Sequence, residues 1–237
     1  MLRYLETDFP MQINSFPSQA EQVNAVVQRI VQLVDESDKG VFNLVVTGGG
    51  LGIKTLEELG RKINDPSKLR IIFCDERFVD LNSSERNEAQ AIAVWPDIVN
   101  SQLIRYPNND QNVSAVAESL SLNLREIFGD ISDPEIAFDL VLLGVGEDGH
   151  IASLFPGAKH PIDWVVVETN SPKAPKERLS LSYEALNKSE RIWFVVGGKS
   201  KAAALSDIRK GTELPAAKVH GRTETIWWLD SELSDEL

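Results

Sequence analysis

Apolar residues recur at three- and four-residue spacing between about 17 and 36, where Val23, Val26, Val27, Ile30, Val31 and Val34 fall on one face. That period predicts an amphipathic helix. VFNLVVT (41–47) follows as an unbroken β-branched run ending at glycines, which predicts a buried strand. Leu56, Leu59 and Ile63 mark the next helical face, and LRIIFCD (69–75) reads as a second buried strand ending in charge. Val113, Val116, Ala117, Leu120, Leu124 and Ile127 predict another helix, and FDLVLLGVG (138–146) a third strand that again ends in glycine. WVVVE, RLSLS, RIWFVVGG and TIWWLD supply later strands, with KAAALSDIRK as a helix between the last two. The Pro/Lys-rich TNSPKAPKER (169–178) reads as a mobile loop, too short to link domains.

Continuous apolar strands separated by helices predict an α/β fold, doubly wound, with a mostly parallel sheet covered by helices on both faces. No internal repeat interrupts it, so residues 1–237 read as one domain with room for a small appended lobe. Ligands in such folds sit at the carboxyl ends of the strands. Three ends here carry glycine and charge, namely TGGG, CDER and GVGEDGH, and they are expected to converge on one site.

Composition narrows the partners. The 237 residues are 42% hydrophobic and 25% charged, which is ordinary for a globular chain with a substantial core. A net charge of −12 disfavours nucleic acid, whose phosphates need clustered Lys and Arg, but leaves room for a small anionic substrate. The single cysteine, Cys74, forms no intrachain disulfide and supports no cysteine-based zinc site. MLRYLETDFP (1–10) lacks the apolar stretch of a secretory leader, and no apolar run reaches membrane-spanning length. The expectation is a cytoplasmic protein with no membrane partner, a monomer or weak homo-oligomer.

The glycine loop Thr47-Gly48-Gly49-Gly50-Leu51-Gly52 fails two nucleotide patterns. Its lysine comes one place late for a Walker A loop, and Ile53 stands where a dinucleotide fingerprint needs glycine. What remains is backbone N–H groups turned toward an anion at a helix N-terminus, or simply a tight turn. Asp75, Glu76 and Arg77 are costly to place at a buried strand end without partners, and Arg77 offers a planar fork for phosphate or carboxylate. Cys74 reads as a small strand hydrophobe rather than a nucleophile. In Gly144–Gly157, His150 is able to accept a proton near neutrality, and Asp148 either orients it or forms a turn. Ser153 lacks a G-x-S-x-G setting, and His160 and His220 show no metal-ligand spacing with His150.

D-E-R-x-V (75–79) with Asn87, and above all G-x-G-x-D-G-H-x-A-S-L-F-P-G (144–157), resemble the 6-phosphogluconolactonase family. The likeness continues in RLSLS (178–182), Gly198-x-x-Lys201-Ala202, LPAAKV (214–219) and WWLD (227–230). That family shares its fold with glucosamine-6-phosphate deaminases, ribose-5-phosphate isomerases and CoA transferases. The deaminases follow the shared histidine with Phe-Asn-Glu-Pro, whereas this chain has Ser-Leu-Phe-Pro-Gly. The resemblance implies hydrolysis of 6-phospho-D-glucono-1,5-lactone without cofactor or metal. It implies His150 as general base with Asp148 beside it. It implies Thr47, Gly48, Gly49, Gly50, Asp75, Arg77, Asn87, Gly149, Arg178 and Lys201 around a small sugar-phosphate lactone. Two alternatives stay open: an isomerase or deaminase, and a non-catalytic sugar-phosphate-binding protein. The chain departs from the family's usual Ser/Thr-Gly-Gly-Ser-Thr-Pro at 47–52, losing two hydroxyl donors. It also carries Arg86 where Ser is usual, and Arg86 is expected to restore positive charge at the phosphate.

Overall fold

The computed structural model describes residues 11–107 and 112–237. The leader-free reading of residues 1–10 lies outside them. The strands in chain order are β1 (Gln12–Phe16), β2 (Phe42–Val46), β3 (Leu69–Phe73), β4 (Asp75–Arg77), β5 (Gln102–Ile104), β6 (Leu140–Leu143), β7 (Val165–Glu168), β8 (Arg178–Leu181), β9 (Arg191–Val196) and β10 (Glu224–Asp230). The α-helices are α1 (Gln19–Glu36), α2 (Gly49–Lys62), α3 (Asn87–Val94), α4 (Val113–Phe128), α5 (Tyr183–Asn187), α6 (Ala202–Arg209) and α7 (Ser231–Ser234).

Seven strands form one sheet in the order β1-β10-β9-β6-β2-β3-β5, and every neighbouring pair is parallel. The chain steps outward from β2 through β3 to β5, then returns to β6 on β2's other side and steps outward through β9 to β10. That reversal between β2 and β6 is a topological switch point, where the loops at the carboxyl ends part and leave a crevice. Buried parallel strands must be apolar on both faces, which is why β2, β3 and β6 read as unbroken runs. Each strand stops short of the apolar run that announces it, so Thr47, Cys74 and Gly144–Gly146 leave the sheet and enter loops.

A second sheet, β4-β8-β7, is antiparallel and stands where the sequence left room for a small lobe. After Cys74 the chain leaves the large sheet and pairs as β4 with β8, placing Arg77 directly opposite Arg178. Short β1 and β5 lie at the edges of the large sheet and carry no sustained apolar run, so they escaped the hydrophobic pattern.

Helix α1 begins at Ser18, whose hydroxyl accepts the Glu21 N–H at 3.3 Å. Its Val23, Val26, Val27 and Ile30 are buried, each contributing about 1.5–3 kcal/mol of transfer free energy. Gln22, fully buried on the same face, donates from Nε2 to Val196 O at 2.9 Å and Trp228 O at 2.7 Å. One amide thus ties α1 to the carboxyl ends of β9 and β10. Among the described residues no helix is long and apolar enough to cross a membrane.

Gln22→Leu roughly keeps the volume and removes two hydrogen bonds to buried carbonyls, together with an Oε1 that has no partner among the described residues, and is expected to cost about 1–3 kcal/mol. Urea unfolding measures this; a loss below about 0.5 kcal/mol would show that the amide is not what ties α1 to the strands.

Candidate active site

A cavity of about 680 Å³ opens at the carboxyl ends of β9, β6, β2 and β3, four adjacent interior strands. Thr47, Gly48, Gly49 and Gly50 line it from β2, Asp75 and Arg77 from β4, Gly144–Asp148 and His150 from the loop after β6, and Val195–Gly197 from β9. The three strand ends singled out in the sequence therefore meet. Asn87, Arg178 and Lys201 line the same space. Five cations, Lys54, Arg77, Lys173, Arg178 and Lys201, face three acids, Asp75, Glu147 and Asp148, in a chain whose overall balance is strongly negative.

Helix α2 starts at Gly49 with Gly48 as its N-cap, and no side chain caps it. Its first-turn N–H groups consequently lie at the cavity wall without an intrahelical partner. Gly48 is required by close approach, since a Cβ there would sit 1.9 Å from Asn87 Oδ1. A Cβ on Gly50 would meet nothing within 4 Å, so the loop has open space at this position.

His150 is held by Asp148 twice: Nδ1 lies 2.5 Å from Asp148 Oδ1, and the His150 backbone N–H donates to the same oxygen at 3.2 Å. A carboxylate at Nδ1 fixes the proton there and leaves Nε2 with the lone pair. Burial pushes the Asp148 carboxyl up, but the bonds from the His150 side chain and backbone outweigh it and hold the group below the usual range. The ring lies 4.7 Å from that of Phe155, centroid to centroid. Gly146 makes room for it, because a Cβ there would fall 2.0 Å from Nδ1.

Asp75 is buried and accepts from Ser153 Oγ at 2.6 Å and from Asn87 Nδ2 at 3.3 Å, with Arg178 Nη1 at 3.9 Å. Ser153 is therefore occupied as a donor to a carboxylate. Cys74 is fully buried, and burial, then the neighbouring Asp75 charge, pushes its thiol well above the ordinary value, which leaves no thiolate for attack. Glu76 caps α3 from β4, taking the N–H groups of Asn87 at 2.7 Å and Glu88 at 3.0 Å. Among the described residues no three His, Cys, Asp or Glu side chains gather in a metal-holding arrangement.

Two expected site residues stand elsewhere. Arg86 does not line the cavity: it is 1% exposed and donates to Tyr106 O at 2.6 Å, with Glu76 and Glu88 beside it at 3.8 and 3.6 Å. Its charge is spent on buried carbonyls and carboxylates, so it replaces no phosphate donor. Gly149 also lies off the cavity, its carbonyl accepting from Ala216 N at 3.1 Å and its α-carbon packed on Leu214. Its φ of +80° serves the turn that carries His150. Conversely, Gln19, Lys54, Ser171 and Lys173 line the cavity without having been expected there. Lys173 falls in the Pro/Lys-rich loop, which was the available signal; Gln19 and Lys54 are polar helix positions like many others.

Comparisons with known proteins agree with this architecture. Residues 17–228 match the sequence model of the family described as glucosamine-6-phosphate isomerases/6-phosphogluconolactonase. The chain is 34% identical over 209 residues to a Mycobacterium leprae 6-phosphogluconolactonase, covering 82% of this chain and 84% of that one. It is 31% identical over 241 residues to the Mycobacterium tuberculosis 6-phosphogluconolactonase, covering 95% and 98%. The crystal structure of a Thermotoga maritima 6-phosphogluconolactonase superposes with a TM-score of 0.79 at 26% identity, over 93% of this chain and all of that one.

The cap on α3 generates a pH dependence. Burial above all raises the Glu76 carboxyl above its ordinary pKa, against the N–H groups of Glu88 and Asn87 and the Arg86 charge. A folded-state pKa above the unfolded value means a contribution to stability that is full below about pH 4.3 and lost as pH rises through the folded pKa. Glu76→Gln cannot titrate, so its stability deficit relative to wild type should be largest near pH 4 and shrink toward pH 7 in urea unfolding. A deficit that widens with pH would mean that the ionised form is the stabilising one.

Proposed function

We propose that this chain, which belongs to the glucosamine-6-phosphate isomerase/6-phosphogluconolactonase family, hydrolyses 6-phospho-D-glucono-1,5-lactone to 6-phosphogluconate. The residues 1–237 act as one lactonase-like unit, in the cytoplasm. The observation that carries the reading is the Asp148–His150 pair, 2.5 Å apart, at the wall of a cavity rich in cations. With Nδ1 committed to Asp148, Nε2 of His150 takes a proton from water as the water oxygen attacks the lactone carbonyl. The oxyanion draws on backbone N–H groups, of which the uncapped first turn of α2 offers several at this cavity. Collapse breaks the bond to the ring oxygen, and His150 returns its proton to that oxygen. No covalent intermediate is needed, because the lactone is already an activated ester. Arg77 and Arg178, opposed across β4 and β8, favour an anion between them and suit the 6-phosphate.

The family description embraces an isomerase activity as well. Here the residues after the histidine are tied to other tasks: Ser153 donates to Asp75 and Phe155 packs on the imidazole. These contacts, with the Ser-Leu-Phe-Pro-Gly ending, favour lactone hydrolysis over amine release.

Wild-type protein should hydrolyse the phosphorylated lactone well above the spontaneous rate, followed by proton release. His150→Ala should lower kcat by about 10²–10⁴-fold, and Asp148→Asn by roughly 10²-fold or more, because the wrong tautomer then faces the water. A wild type no faster than the spontaneous rate would point to a non-catalytic binding protein, and ammonia release from glucosamine-6-phosphate to a deaminase.

A further inference from the structure

The Pro/Lys-rich loop at 169–178 is not left free over the cavity but fastened at several points. Ser171 N donates to Lys176 O at 3.2 Å, and Lys176 Nζ returns to Ser171 O at 2.9 Å, closing the loop at its base. Arg178 braces the arch from β8, with Nε on Pro175 O at 3.2 Å and Nη2 on Lys173 O at 3.3 Å. Phe78 N holds Glu177 O at 3.0 Å from the far side. A loop so tied presents Ser171, Pro172 and Lys173 to the cavity in one geometry.

What those residues present is not committed to a hydrogen bond, although the Lys173 charge helps hold the Glu147 carboxyl below its usual value after the larger effects of Ser200 and Lys201. Of the five cations at the cavity, Lys54 donates to Gln19 Oε1, Arg77 to Glu85 O, Arg178 to the loop carbonyls, and Lys201 to Glu147. Lys173 alone among them donates to nothing among the described residues. Ser171 is 1% exposed, and its Oγ has no hydrogen-bond partner among them. A buried hydroxyl without a partner is costly and uncommon, and its position at a cavity wall gives it a reason to exist.

We infer that Ser171 and Lys173 are substrate-binding residues, the Lys173 ammonium meeting the 6-phosphate and the Ser171 hydroxyl bonding an oxygen of the bound sugar phosphate. The inference rests on the sugar-phosphate reading of the cavity given above. Lys173 adds a third cation to Arg77 and Arg178 at the cavity, and Arg178 has a second duty as the positioning residue that holds the Lys173 backbone in place. Selection for the phosphate thus comes from the loop as well as from the strand pair.

The test measures equilibrium binding of 6-phosphogluconate, with gluconate as the phosphate-free control, alongside turnover of the lactone. Lys173→Met should weaken 6-phosphogluconate by about 10–100-fold, the range for a charge-assisted bond, and leave gluconate within about twofold. Lys173→Arg should recover most of the loss. Ser171→Ala should weaken binding by roughly 2–10-fold while leaving the melting temperature unchanged or raised, because it removes an unpaired buried hydroxyl. A role confined to stability would move both in the same direction. Normal binding by Lys173→Met, or an equal loss for gluconate, overturns the assignment of Lys173; a lowered melting temperature with unchanged affinity overturns that of Ser171. Absence of lactone turnover in wild type, with the Lys173 discrimination intact, would strike the catalytic reading and leave this one standing.

Discussion

Asp75 accepts from Ser153 Oγ at 2.6 Å and from Asn87 Nδ2 at 3.3 Å, with Arg178 Nη1 3.9 Å away, and it is almost wholly removed from water. A carboxylate so buried is tolerable only with partners, and each partner comes from a different part of the chain. Ser153 belongs to the segment that follows His150, Asn87 begins α3, and Arg178 begins β8. Asn87 in turn presses on Gly48 at the start of α2, so the glycine loop is located by the same contact. The backbone repeats the connection: β4 pairs with β8, and Leu181 N reaches back to Cys74 O at 2.8 Å. The small sheet is therefore fastened over the cavity through residues 74–77, and the cations it carries inherit their placement from that junction.

The fold was legible wherever burial forces a repeating pattern. A parallel strand covered on both faces has no choice but to be apolar, so β2, β3, β6 and β9 announce themselves, and their carboxyl ends announce the cavity. His150 and Asp148 were legible because a turn two residues long joins them, and local geometry follows from local sequence. Arg86 shows the opposite case. An arginine near a proposed phosphate site looks like a ligand, yet its side chain turns inward to Tyr106 O, twenty residues away. Nothing in the string of letters distinguishes a guanidinium bonded to a buried carbonyl from one bonded to an anion. Glu76 was read as part of a charged strand end, and only the fold reveals that it caps a helix.

The glycine loop takes on a different meaning beside these contacts. The resemblance leads to an expectation that Arg86 compensates for hydroxyls absent at 50 and 51, yet Arg86 stands at the N-cap of α3 and turns inward to Tyr106 O. The N–H groups at the start of α2 persist regardless of side chain, because the N-cap is a glycine with no competing oxygen. Backbone donors cannot supply net charge, however, and a phosphate dianion calls for it. On the proposed reading that charge is supplied by the arginines of the strand pair and the lysine of the loop beside it, all of which line the cavity.

The register of β4 and β8 explains why this division is stable. Arg77 faces Arg178 directly, an arrangement that costs stability in water and more where burial is partial. Two features limit the cost. Glu168 pairs with Arg178 on its other flank in β7, and each guanidinium spends donors on backbone carbonyls, Arg77 on Glu85 O and Arg178 on Pro175 O and Lys173 O. The carbonyls supply only dipoles, whereas Asp75, Glu168 and Glu76 offset the repulsion at Arg178 with net negative charge. Burial, with the Arg77 charge adding to it, lowers the Arg178 pKa from the ordinary arginine value against the pull of Asp75. Asp75 pulls on Arg178 more strongly than Arg77 pushes, so the opposed pair is held in place by the carboxylates packed around it, and burial is what chiefly lowers the Arg178 pKa.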